Sequence, residues 1–233
     1  MTTENTSSYP TPLSAYIAET ISENESFLLK NAKGVIEEVV GLTNDALDIM
    51  GFAVNRPENK EDYLERSMVF FIYHALLPYS YGIYLELLAA NPPVCFIELR
   101  LLLETLAKCY LADLNYPDLS FFQEKLNSLQ QAERNISELM RKLGNEVGVG
   151  NEFHAMWKSL SEDWVHTKGF VNNVVTHISE KTDAPPWALG VPMKYAQNDL
   201  GIIDELRNQI SMFRNLLKAT MEKYKQELGF SDG

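Results

Sequence analysis

The chain has 233 residues, 45% of them hydrophobic, which suits one large domain with a substantial core and excludes global disorder. Its net charge of −12 repels phosphate backbones and disfavours general nucleic-acid binding. With two cysteines and no Cys/His zinc spacing, a disulfide scaffold and a structural zinc site are excluded too.

Residues 1–12 (MTTENTSSYPTP) are polar, carry two prolines, and read as a flexible tail without the basic and apolar regions of a secretory signal. Residues 13–233 read as a single all-α domain, a bundle of long antiparallel helices, because no strand-like alternation persists. The first helix is expected from Leu13 to Phe52, with Ile17, Ile21, Leu28, Ile36, Val39, Val40 and Leu47 as its apolar positions. Pro57 stops the pattern.

A second helix is expected from Lys60 to Ala90, kinked at Pro78, which has no N–H to give. Its stretch Met68–Ala90 is long enough to span a bilayer. It also contains His74, Pro78, Ser80, Gly82 and Glu86, so a buried core helix is expected rather than a membrane span. The third helix follows the NPP turn and runs from Pro93 to Leu114. A fourth is expected from Asp118 or Ser120 to Asn145, ended by the glycines of GNEVGVGN. A fifth runs from Glu152 to His166, and a short one covers Val171–Ser179. The last spans Asn198–Leu228. There Ile203, Ile210, Leu217 and Tyr224 recur every seven residues, with Leu206, Phe213 and Thr220 between them, forming a seam inside the bundle or between two copies. A homodimer or a protein partner is therefore expected.

The third helix, CFIELRLLLETLAKCYLAD, is apolar nearly all round, yet holds Arg100 and Glu104 four residues apart. At 100° per residue Phe96, Ile97, Leu103, Ala107 and Leu111 share their face, and Glu98, Thr105 and Cys109 fall opposite, on the expected polar edge. Buried charges at i and i+4 must pair, and the pair leaves donors on Arg100 for a third group. Such a pair fixes helix register or builds a polar site in the core, with Glu104 as proton acceptor. Cys95 and Cys109, on one helix, lie about 21 Å apart and cannot bridge. Reduced thiols imply a cytoplasmic protein.

His166 closes the fifth helix, with Asp163 and Glu162 three and four residues before it as orienting acids. Arg100, Glu104 and His166 form the candidate catalytic set. Tyr73, Tyr81, Tyr110, Trp164 and Ser161 form a candidate ligand pocket. Nucleotide loops, GxSxG and HExxH are absent from the sequence, and one D-x-x-H falls short of a di-iron set, so no cofactor and no metal are expected. Arg207-Asn208 and Arg214-Asn215, seven apart, are placed beside the seam, facing solvent or a partner.

The Tyr-rich kinked helix, the R-x-x-x-E of Arg100 and Glu104, and the later Ser161 and His166 of SLSEDWVH resemble prokaryotic all-helical domains related to HEPN bundles of defence and toxin–antitoxin loci. The resemblance covers residues 60–180. It implies the helical fold and a stress or defence setting. Active HEPN ribonucleases carry an Arg followed by His after four to six residues. No arginine stands at that distance before His74, His154, His166 or His177, so the resemblance does not imply RNA cleavage. A non-catalytic interaction protein is the expected function. A hydrolase or nuclease with the Arg/Glu/His set and a small-ligand-binding bundle are the alternatives.

Overall fold

The computed structural model of the chain describes residues 13–54, 65–165 and 194–227. They form an all-α bundle with no strand among them: α1 Leu13–Asn31, α2 Lys33–Val54, α3 Ser67–Leu88, α4 Pro92–Asn115, α5 Phe122–Ala132, α6 Ile136–Val147, α7 Glu152–Leu160 and α8 Leu200–Glu227.

The expected first helix breaks at Ala32. The Asn31 side chain takes the Phe27 carbonyl at 2.8 Å, competing with the backbone ladder, and α2 starts afresh at Lys33. The expected fourth helix also splits, because Glu133 is extended (φ −136°). Its carboxylate holds the Asn135 N–H at 3.2 Å and Lys142 Nζ at 2.7 Å, while the Asn135 carbonyl accepts the first N–H groups of α6. The kink expected at Pro78 is realised just upstream, as a wide π turn over Ile72–Leu76. The Leu77 N–H bonds the Ile72 carbonyl there, which makes room for the proline ring. The expected start of this helix at Lys60 and the short helix over 171–179 lie outside the described residues.

Helix α4 is the axle of the bundle, packed by α3, α5, α6, α7 and α8. Phe96, Leu99, Leu102, Leu103, Leu106 and Ala107 are all fully buried on it. Each buried leucine contributes about 1.5–3 kcal/mol. The heptad positions of α8 from Ile203 to Tyr224 are buried within the same chain, so that seam is a bundle seam.

Both ends of α3 are tied by distant side chains. At its start Asp113 accepts the Ser67 and Met68 N–H groups at 2.8 and 2.9 Å, replacing the missing N-cap. Tyr224 Oη donates to the same carboxylate at 2.9 Å, and Lys125 Nζ lies 3.6 Å away. At its end, Asn24 Nδ2 donates to the Leu88 carbonyl (2.8 Å) and Tyr195 Oη to that of Leu87 (2.7 Å). The chain then turns through Ala90, in the left-handed region at φ 55°, into α4. This tight turn makes α3 and α4 an antiparallel pair.

Candidate functional site

Arg100 and Glu104 form the ion pair their spacing demands, at 2.8 Å, with 20% and 15% of the two side chains exposed. They are not inside the core. They sit where α7 leans on α4, and Trp157 closes the arrangement: its indole N–H donates to Glu104 at 2.9 Å, and its ring lies 5.9 Å from the Arg100 guanidinium carbon. The third group held by the pair is thus a tryptophan of the same chain. Arg100 Nε is buried without a hydrogen-bond partner.

The wheel placed the polar edge of α4 wrongly. Cys109 is fully buried, and the outward stripe is apolar, with Ile97 38% and Leu101 41% exposed. Five helices pack on α4, so most of its circumference is buried, and Glu98, Arg100 and Glu104 are left half-buried at its borders.

His166 lies outside the described residues, so its expected meeting with Arg100 and Glu104 does too. The acids assigned to it have other partners: Ser159 Oγ donates to Asp163 (3.3 Å), and Lys158 Nζ lies 3.8 Å from Glu162. The five pocket residues are not gathered. Trp164 stacks on Phe96 at 4.1 Å and donates to Glu205, whereas Tyr110 packs against Tyr224 at 6.0 Å. Phe96 and Tyr110 are fourteen residues apart on one helix, so these two aromatics lie about 21 Å from each other. Tyr81 is 48% exposed, Tyr73 is half-buried, and buried Ser161 donates to the Trp157 carbonyl at 2.6 Å. Long helices string such residues out instead of collecting them.

Sequence reasoning missed a serine–histidine contact. Ser137 Oγ and His154 Nε2 share a hydrogen bond of 2.9 Å across the α6–α7 hairpin. Burial, then Arg141 and Lys158, lower the His154 pKa, which keeps the ring neutral at pH 7. Three glycines make the hairpin. Gly148 (φ 83°) and Gly150 (φ 59°) take left-handed conformations, and the Gly150 carbonyl sits where a Gly144 Cβ would be. GNEVGVGN is therefore a turn between helices.

Arg214 does not face solvent or a partner. It lies across Gly41 of α2, donating to Asp45 at 2.6 Å and Glu38 at 2.7 Å, while Arg207 lies across Gly34. Two arginines seven apart on α8 meet two glycines seven apart on α2, so these helices run parallel in fixed register. A groove of about 600 Å³ beside the clamp is lined by Glu38, Asp45, Asp48, Arg214, Lys218 and Glu222, acids and bases mixed.

A second feature missed in the sequence joins α3 to α4. Gly82 lets the Glu98 carboxylate approach so closely that a Cβ there would sit 2.8 Å from Oε1. Glu98 Oε2 is buried without a hydrogen-bond partner. Burial, then the charge of Glu86, raises its pKa from 4.5 to about 7. Four large apolar residues near these positions in the two helices are exposed: Tyr81 and Leu85 (59% exposed) on α3, Ile97 and Leu101 on α4.

Among the described residues no group of three or more His, Cys, Asp or Glu is placed to hold a metal ion. Helix α3 is long and apolar enough to cross a membrane by length and composition, and its inner face packs on α2 and α4. No family model, curated protein or solved structure matches the chain.

Proposed function

We propose that this chain is a non-catalytic interaction protein that docks a helix on the outer face of α3 and α4. The observation that carries the reading is the exposure of four large apolar residues on two adjoining helices, Tyr81 and Leu85 on α3, Ile97 and Leu101 on α4. Single exposed apolar residues are ordinary. A two-by-two set on adjoining helices that meet closely at Gly82 is a face of the kind an amphipathic helix covers. Arg100 and Glu104, by contrast, spend their charge on each other and on Trp157. An intracellular setting is supported by two free, buried thiols, and a stress or defence role rests on the likeness to HEPN-related bundles.

The test is a panel of synthetic amphipathic helices of varied charge, titrated by fluorescence anisotropy against the wild-type chain and a Leu85→Asp, Leu101→Asp variant. Binding in the micromolar range by at least one helix, lost in the variant, supports docking on this face. Absence of binding across the panel rejects it.

A second reading, hydrolysis, has the Ser137–His154 hydrogen bond on its side, because a neutral imidazole at 2.9 Å is placed to take a serine proton. A fluorophosphonate that labels wild type but neither Ser137→Ala nor His154→Ala favours this reading. An unlabelled wild type removes it.

A further inference from the structure

The outer face of α3 and α4 is not uniformly apolar. Where the two helices meet closely, at Gly82, stands the half-buried Glu98 carboxyl; Tyr81 and Leu85 are near Gly82 in α3, and Ile97 and Leu101 are near Glu98 in α4. Its Oε2 accepts no hydrogen bond. Glu86 from α3 and the Cys95 thiol from its own helix are its titratable neighbours. Glu86 acts on it by its charge, and its carboxyl accepts a hydrogen bond from Asn91 Nδ2 at 2.7 Å. Among the described residues, no cation is among the charges that shift Glu98.

We infer that the partner helix docked on α3 and α4 is a cationic amphipathic one, whose apolar side chains cover Tyr81, Leu85, Ile97 and Leu101 and whose arginine or lysine pairs with Glu98. This rests on the docking reading given above and names the chemistry of the partner.

Charge decides among the occupants. A second copy of this chain would bring Glu98 and Glu86 against their own copies across one apolar seam, and each copy carries a net charge of −12. A neutral apolar helix would cover the half-buried Glu98 carboxyl without offering it a donor, which is unfavourable. A helix with one cation in its apolar stripe supplies the missing donor, and Arg offers two N–H groups to one carboxylate. Burial, then Glu86, raises the Glu98 pKa, and a cation at hydrogen-bond distance would favour the ionised form. Binding below pH 7 therefore releases a proton.

The experiment uses the full chain and three fluorescent helices of about 18 residues, five turns long, with one leucine stripe and a single central stripe position occupied by Arg, norleucine or Glu. The Arg helix is expected to bind about 10-fold more tightly than the norleucine helix at neutral pH. The Glu helix should bind weakest. In Glu98→Gln, a near-isosteric change, the Arg advantage should shrink to about 3-fold or less. Affinity for the Arg helix should rise with pH as Glu98 ionises, and that rise should vanish in Glu98→Gln. Equal binding of the Arg and norleucine helices to wild type overturns the cationic partner while leaving the docking face intact. Concentration-dependent dimerisation in sedimentation, abolished by Leu85→Asp with Leu101→Asp, overturns it in favour of a second copy. If none of the three helices binds and the chain is monomeric, the docking reading itself falls.

Discussion

Two carboxylates on α4 meet α3 at different points and have opposite fates. Asp113, 6% exposed, receives two backbone N–H groups, a tyrosine hydroxyl and a nearby lysine. Glu98, fifteen residues earlier, receives nothing at Oε2 and faces another anion. Asp113 caps a helix that has no cap of its own, so its charge is absorbed by the architecture. Glu98 is half-buried near the exposed apolar residues of α3 and α4, and on the reading proposed above its charge is met by a cation of the partner helix. The difference separates a carboxylate that holds the α3–α4 pair together from one left unsatisfied within it.

The largest effect should come from breaking the satisfied end. Asp113→Ala leaves Lys125 buried without its counter-charge and Ser67 and Met68 without acceptors. It should cost about 3–5 kcal/mol in urea denaturation. Gly144→Ala forces its methyl against the Gly150 carbonyl and should cost about 1–3 kcal/mol, read as a lowered Tm. Arg214→Ala, which unpairs Glu38 and Asp45, should cost about 1–3 kcal/mol in the same measurement.

Glu98 should show its effect in the pH dependence. Its folded-state pKa is raised, so its contribution to stability is full below the unfolded value of about 4.5 and is lost as pH rises through about 7. Wild type should lose stability across that window relative to Glu98→Gln, and a Tm series against pH for the two proteins measures the gap. The smallest effect belongs to the face itself. Leu85→Asp removes no buried contact of consequence, and its stability should stay within about 0.5 kcal/mol of wild type.

Much of the fold was legible in the sequence. The α8 heptads, the all-helical class and the third helix follow from periodicity, and Pro78 marked the irregular turn in α3. The breaks at Ala32 and Glu133 were not legible, because each depends on a side chain competing for backbone groups inside an otherwise helical pattern. The Arg100–Glu104 pair could be read from its i, i+4 spacing, but its setting could not. A wheel assumes one buried face, and α4 is packed nearly all round. The arginine repeat on α8 was visible, whereas its match to Gly34 and Gly41 needed the parallel pairing of α2 and α8. Ser137 with His154, and Gly82 with Glu98, are contacts between helices, and nothing local in either pair announces the other.

The contrast between the two carboxylates can be measured in one titration. Carbon-13 NMR of the Glu98 side-chain carboxyl in the free protein should give a midpoint of about 7. A midpoint near the ordinary glutamate value of about 4.3 would show that the carboxylate already has its partner within the chain, and the outer face of α3 and α4 would no longer be a site waiting for a cation.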